Sequence, residues 1–239
     1  ESGHRLLIDC KIRVAADDPN DDTPDVASQL KERLLRDDQD RLYVDAFLLT
    51  HPDKDHCSGL ANHFHLGAPS DWSGDKIIIR EMWSSPVVFR RANKKDHVLC
   101  DDARAWAKEA RRRVKLFRAQ GYLLDGDSIK ILGEDVNGKT DDIPGIVVRC
   151  GHVISSICGQ QDNTFNAFLI APLLASDDEE DDVLSKNNSS VILQLTLAAD
   201  GNPAAAKYLV GGDAEVAIWE KIADLYHADC LKYHVLLAP

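Results

Sequence analysis

A chain of 239 residues, 44% of them hydrophobic, suits one sizeable α/β domain. No apolar run approaches the roughly 18 residues that span a bilayer, and the opening Glu1-Ser2-Gly3-His4-Arg5 does not read as a secretory signal. The net charge of −12 counts against a polyanionic partner for the chain as a whole, and six scattered cysteines without a Cys-x-x-Cys pair exclude a zinc ribbon or a dense disulfide framework, which fits reduced thiols in a cytoplasmic protein.

In chain order, Arg5 to Cys10 reads as a short buried strand ending in a polar residue, followed by a loop rich in Asp, Pro and Asn over 15–24. Val26, Leu30, Leu34 and Leu35 recur at helical spacing, so the pattern predicts a helix from Asp25, a plausible cap, to Arg36. Leu42 to Leu49 is a buried strand, a helix starts within 58–64, and Ile77 to Trp83 is a further strand stopped by Ser84-Ser85-Pro86. The longest helix runs from Asp101 to Gln120, where Ala103, Trp106, Ala107, Ala110, Val114 and Phe117 form one apolar stripe before Gly121. Ser128–Leu132 and Ile146–Arg149 read as strands of a second sheet; the stretch from Cys150 to Asn163 has no clear period. Phe165 to Pro172 is a strand, the acidic run 177–182 a self-repelling surface loop. Ser190–Leu195 and Lys207–Val210 are strands around a Gly-Asn-Pro turn. A helix then runs to about Tyr226, and His234 to Pro239 is a last strand.

The stretch Thr50-His51-Pro52-Asp53-Lys54-Asp55-His56-Cys57-Ser58-Gly59 stands apart. His51, Asp53, Asp55 and His56 leave one loop directly after the apolar Ala46-Phe47-Leu48-Leu49, and four such side chains can converge on one or two metal ions. The bland alternative is a polar loop capping a helix. His63 and His65 lie close by but read as ordinary surface or core histidines. Gly211-Gly212-Asp213 after a strand is weak alone, because Asp213 could simply cap the following helix.

His-x-Asp-x-Asp-His-x-x-Gly after a hydrophobic strand resembles the signature of metallo-β-lactamase-fold hydrolases, with Asp53 where most members have a second histidine. That variant is similar to the ComEC-type DNA-uptake proteins and their soluble relatives. The resemblance implies an αββα sandwich, two mixed sheets flanked by helices, as a single domain over 1–239. It also implies two divalent ions, Mn or Zn: His51 and Asp53 on the first, Asp55 and His56 on the second, and Asp213 bridging them. Asp55 would orient the attacking water or accept its proton. Asn188 stands near where relatives place another histidine, with an ordinary turn role as the alternative. The family's first strand would lie upstream of Glu1, and its final histidine element just after Pro239, so the chain reads as a fragment.

The resemblance further implies phosphodiester chemistry on DNA. Residues 76–118 hold 13 Lys or Arg and 5 Asp or Glu, a net of +8 that leaves −20 for the remainder. On the long helix Arg104, Lys108, Arg111, Arg112, Arg113, Lys115 and Arg118 could track a phosphate backbone, with Trp83, Phe89 and Trp106 positioned to stack bases. The alternative is a solvated helix face with Trp106 in the core. Two rival functions are a small-molecule phosphoester or ester hydrolase of the same fold, and a degenerate non-catalytic domain in a larger assembly.

Overall fold

The computed structural model describes residues 3–14, 18, 20–22, 24–89, 98–134, 138–174 and 187–237. The chain is a mixed α/β protein whose described residues form two large sheets flanked by helices and a small hairpin of Ser156–Ile157 with Gln160–Gln161. The first sheet is built on a parallel path of β1 (Leu6–Ile8), β2 (Leu42–Leu49), β3 (Ile77–Ser84), β4 (Ser128–Leu132) and β5 (Val147–Val148), in that order. Two short strands extend it: Leu35–Arg36 pairs antiparallel with β2, and Phe64–His65 parallel with β3. The second sheet runs β10 (Val235–Leu237), β9 (Asn202–Val210), β8 (Ile192–Ala199), β7 (Phe165–Ala171), β6 (Val153–Ile154), antiparallel except for the β9–β10 pair.

Among the described residues five α-helices complete the frame: α1 (Val26–Arg33), the single turns α2 (Lys54–Cys57) and α3 (Leu60–His63), α4 (Asp101–Gln120) and α5 (Val216–Leu225). Three apolar clusters follow. Ala46, Leu48, Trp83 and Leu132 of the first sheet meet Ala167, Leu169, Leu193 and Val210 of the second. Phe47, Leu49, Ile79 and Met82 face α3 and α4 through Leu60, Trp106, Ala110 and Val114. Ile170, Ile192 and Leu209 are covered by Ile218 and Ile222 of α5. A strand such as β2, buried on both faces, reads as an apolar run, broken only at the buried Asp45, whose carboxylate accepts from the Arg5 N–H and the Arg80 guanidinium.

The predicted elements differ from the structure in three places. Ser128–Leu132 and Ile146–Arg149 do not belong to a second sheet: β4 and β5 continue the first one in parallel, because α4 carries the chain back from the end of β3. The predicted helix 25–36 ends at Arg33, and Leu34 is already extended. The β8–β9 hairpin turns on Asp200-Gly201, with φ of 51° and 78°, a two-residue Asp-Gly loop of the kind that matches strand twist, rather than on Gly-Asn-Pro. The acidic run 177–182 and the last residues Ala238-Pro239 lie outside the described residues. No described helix is long and apolar enough to cross a membrane.

Candidate metal centre

Because β1 and β2 are parallel neighbours with Ile8 opposite Leu48, Asp9 and the pair Thr50-His51 leave the same edge of the first sheet. It is the C-terminal edge, where open parallel sheets place their ligand sites. Asp9 has a left-handed backbone, φ 53°, which an aspartate tolerates when its side chain is held. Here it is held three ways. The Thr50 N–H donates to Oδ1 at 2.8 Å, the Thr50 hydroxyl to Oδ2 at 2.7 Å, and His56 Nδ1 lies 2.7 Å from Oδ2.

The second sheet reaches the same point through Gly212. At φ +52° its missing side chain lets the backbone lie against Ser190 and Thr50: a Cβ there would stand 2.7 Å from Ser190 Cβ and 3.2 Å from Thr50 Cβ. The Val191 N–H donates to the Thr50 carbonyl at 2.9 Å, and the Asp213 N–H to Ser190 Oγ at 3.1 Å. These contacts fix Asp213, which follows β9, over the two histidines that follow β2.

The resulting group is small and directed. His51 Nε2 lies 3.4 Å from Asp213 Oδ2, His56 Nε2 lies 3.1 Å from Asp213 Oδ1, and the two rings are 4.1 Å apart at their centroids. One ligand atom from each of the three residues falls within 4.8 Å of the others. The hydrogen-bond network assigns the tautomers. Thr50 Oγ1 spends its proton on Asp9 and so accepts from His51 Nδ1–H at 3.2 Å, while His56 Nδ1–H donates to Asp9. The His51 Nε2 lone pair then faces Asp213, and His56 turns its Nε2 to the same carboxylate, held from behind by Asp9 as a carboxylate orients a metal-binding histidine.

His51 is fully buried, and its Nε2 is the buried side-chain atom with no hydrogen-bond partner among the described residues. A buried polar atom left unpaired is costly, which makes it a sign of something else to bind. Burial, then the neighbouring His56, hold His51 below the ordinary histidine range and keep it neutral. Burial opposes the charged form of His56 too, but the hydrogen bond and charge of Asp9, with Asp213 and Asp55, outweigh it and raise its pKa. Two imidazole nitrogens and one carboxylate suit zinc or another divalent first-row ion, and three protein ligands leave a coordination position open. His56 and Asp213 are 17% and 23% exposed, so the group opens to solvent on the side away from His51.

The structure therefore gathers His51, His56 and Asp213. Asp53 stands at the edge, its Oδ2 3.8 Å from His51 Nε2. Asp55 does not join them: it is exposed on the single turn α2 and reaches His56 only through its charge. Asn188 is buried, but its Oδ1 accepts from the Glu215 N–H at 3.1 Å, so it anchors the start of α5 and keeps the turn role. His65 bonds the Ala68 carbonyl at 2.8 Å, and His63 lies on α3, outside the group. Asp9 is the residue that sequence reading missed, its only signal being a lone carboxylate at the end of a buried strand. A cavity of about 760 Å³ lies elsewhere, between β1 and the second sheet, and none of its lining residues belongs to the group.

The basic stretch is built differently. Trp83 and Trp106 are buried, with indole N–H groups donating to Glu81 at 2.6 Å and Ser84 at 3.0 Å, so neither can stack a base; Phe89 packs against the core. The expected role of Arg113 is likewise corrected: it is 1% exposed, donating to Glu109 at 2.8 Å and to the carbonyls of Ser128 and Ile79. Arg112 is clamped by Glu109 and by Asp127 at 2.5 Å, Arg118 by Asp142, Arg104 by Asp101, and Arg111 donates to the Val88 carbonyl. Lys108 and Lys115 remain exposed on α4. Arg90, Arg91, Lys94 and Lys95 lie outside the described residues.

Compared with protein-family models, curated proteins and solved structures, the chain matches none.

Proposed function

We propose that this chain is a metal-dependent hydrolase of the metallo-β-lactamase type, acting on a phosphodiester, with DNA as the substrate that the ComEC-like signature suggests. Two sheets sharing an apolar cluster, with helices against both outer faces, support the αββα reading of the fold. The observation that carries the functional reading is the buried, unpartnered Nε2 of His51, aimed with His56 at Asp213.

In this reading His51, His56 and Asp213 hold a divalent cation, Zn or Mn. A second ion would draw on Asp53 and on Asp55, whose exposed carboxylate would have to turn inward. When bound, such a cation lowers the pKa of water and polarises a phosphoryl oxygen. The chain's own part is orientation. Asp9 fixes the His56 ring, Thr50 fixes the His51 ring, and the close approach at Gly212 sets the distance of Asp213 from both. Burial around His51 keeps water from competing for its ring nitrogen.

One observation favours a smaller substrate: five of the arginines expected to face DNA are bonded to acidic side chains or backbone carbonyls. A small phosphodiester or ester needs no such track. Metal content per chain, with hydrolysis of bis-p-nitrophenyl phosphate and of single- and double-stranded DNA under Zn or Mn, tests both. We expect bound metal and metal-dependent hydrolysis that His51→Ala abolishes. A chain that binds no metal and cleaves none of the three would overturn the reading in favour of a non-catalytic domain.

A further inference from the structure

Of the six cysteines, all thiols, two meet. Cys57 Sγ lies 3.6 Å from Cys100 Sγ, the sulfur–sulfur approach of this chain among the described residues. Cys57 is the last residue of α2, next to His56, and is fully buried. Cys100 is the N-cap of α4, half-buried, with the exposed Val98 two residues before it.

Each thiol has a place in a short relay. Cys57 S–H donates to the Asp53 carbonyl at 3.1 Å, which leaves its sulfur to accept from Cys100 S–H, while the Cys100 sulfur accepts from the Ala103 N–H at 3.4 Å. The two segments are also strapped together independently of sulfur. The Asp102 carboxylate accepts from the Gly59 and Ala61 N–H groups at 3.0 and 2.9 Å. The start of α4 is thus held against the metal loop whatever the thiols do.

We propose that Cys57 and Cys100 are a redox modification site, closed to a disulfide by hydrogen peroxide, and that closing it displaces the loop that carries Asp53 and His56. The sulfurs must approach from 3.6 Å to about 2.05 Å. The accessible Cys100 thiolate attacks one peroxide oxygen and is oxidised to the sulfenic acid, with hydroxide leaving. The Cys57 sulfur then attacks the Cys100 sulfur, the S–S bond forms, and the sulfenic oxygen leaves as water with the Cys57 proton. Two thiols lose two electrons, and the peroxide is reduced to two waters. Cys57 is fully buried and Cys100 half-buried, which gives Cys57 the second role and Cys100 the first. Once closed, neither sulfur carries a proton, so the Asp53 carbonyl gives up the Cys57 S–H while keeping the His56 N–H at 3.1 Å, and the end of α2 is drawn toward α4.

The effect on the loop rests on the metal reading above; the disulfide does not. The full chain, reduced and then treated with hydrogen peroxide, is alkylated and mapped by mass spectrometry without reduction. We expect the six thiols to fall to four, with a peptide joining Cys57 to Cys100 that dithiothreitol opens. Cys100→Ser, which preserves a capping side chain, should leave Cys57 reduced. Six surviving thiols, or a linkage to another cysteine such as Cys10, would overturn the site. Zinc affinity, read by competition with a chromophoric chelator, should weaken about tenfold on oxidation, as when an outer-shell partner is removed, and stay constant in Cys100→Ser. Equal affinity in both states would overturn the link to the loop, with the mapping intact. A reduced chain that binds no zinc would refute the metal reading, and with it the loop effect, but not the disulfide.

Discussion

The loop 51–56 and the helix α4 both concentrate ionisable side chains, and they use them in opposite ways. On α4 the charges are spent inside the molecule. Glu109 sits three and four residues before Arg112 and Arg113 and binds both, while Asp127 shares Arg112 and Asp142 takes Arg118 from outside the helix. At the loop the polar atoms are oriented from behind, by Asp9 and Thr50, and left open in front. A charge that is answered by its neighbours is structure, and an oriented lone pair with nothing before it points to a ligand.

The largest effect that would sharpen this contrast is on the helix. Glu109→Ala would strand the buried Arg113 guanidinium and cost about 3–5 kcal/mol of stability in urea unfolding, the usual result of removing one partner of a buried pair. A loss near zero would mean that the arginine reaches solvent and the pairing is superficial. The same carboxylate sets an acid limit. Burial pushes Glu109 up, but the hydrogen bonds and charges of Arg112 and Arg113 outweigh it and hold its pKa below the ordinary 4.5. Its contribution is therefore complete above pH 4.5 and lost as pH falls through the lower folded value. Glu109→Gln should remove part of the acid dependence of unfolding below pH 4.5, and an unchanged profile would refute the assignment.

At the loop the expected effect is on metal rather than on folding. Asp213→Ala removes one of three gathered ligand atoms and should weaken zinc binding by at least about 100-fold, or ~2.7 kcal/mol. Asp9→Asn keeps the shape but exchanges the charged acceptor behind His56 for a neutral one. The expected loss is about 10- to 100-fold in metal affinity, the range for such outer partners, with the chain still folded. Asp55→Ala should change affinity least of the loop carboxylates. Should Asp55→Ala match Asp213→Ala, the exposed carboxylate must turn inward when metal binds.

How much of this could be read from the sequence follows from the range of each signal. The α4 boundaries were legible because the apolar stripe runs unbroken to Gly121, whose φ of 77° ends the helix. The pairing of Glu109 with Arg112 and Arg113 was missed, although spacings of three and four place them on one face, because the net charge of the segment masked it. His51 and His56 could be named from a local motif, and Asp213 only through the resemblance that motif carries, since Gly-Gly-Asp is weak alone. Asp9 could not, because its partners lie 41 and 47 residues away and only the parallel pairing of β1 with β2 brings them together. The sheet that β4 and β5 join was hidden for the same reason: a strand's pattern states that it is half-buried, not beside whom. Asp53 and Asp55 differ by two residues, and the single turn of α2 that separates their directions is too short to leave a period.

The smallest change probes what is left of the basic face. Lys108→Glu with Lys115→Glu alters two exposed positions and should move stability by no more than about 0.5 kcal/mol. If the substrate is DNA and these lysines meet its phosphates, affinity at low salt must fall. The slope of log K against log salt should then shrink by about 0.9 for each phosphate no longer neutralised, so by roughly 2 for the pair. An unchanged slope, with metal-dependent hydrolysis of a small phosphodiester intact, would remove α4 from substrate binding altogether. Its charges would then serve the fold alone, and the open lone pairs at the end of β2 would be the whole of the functional surface that these two regions contain.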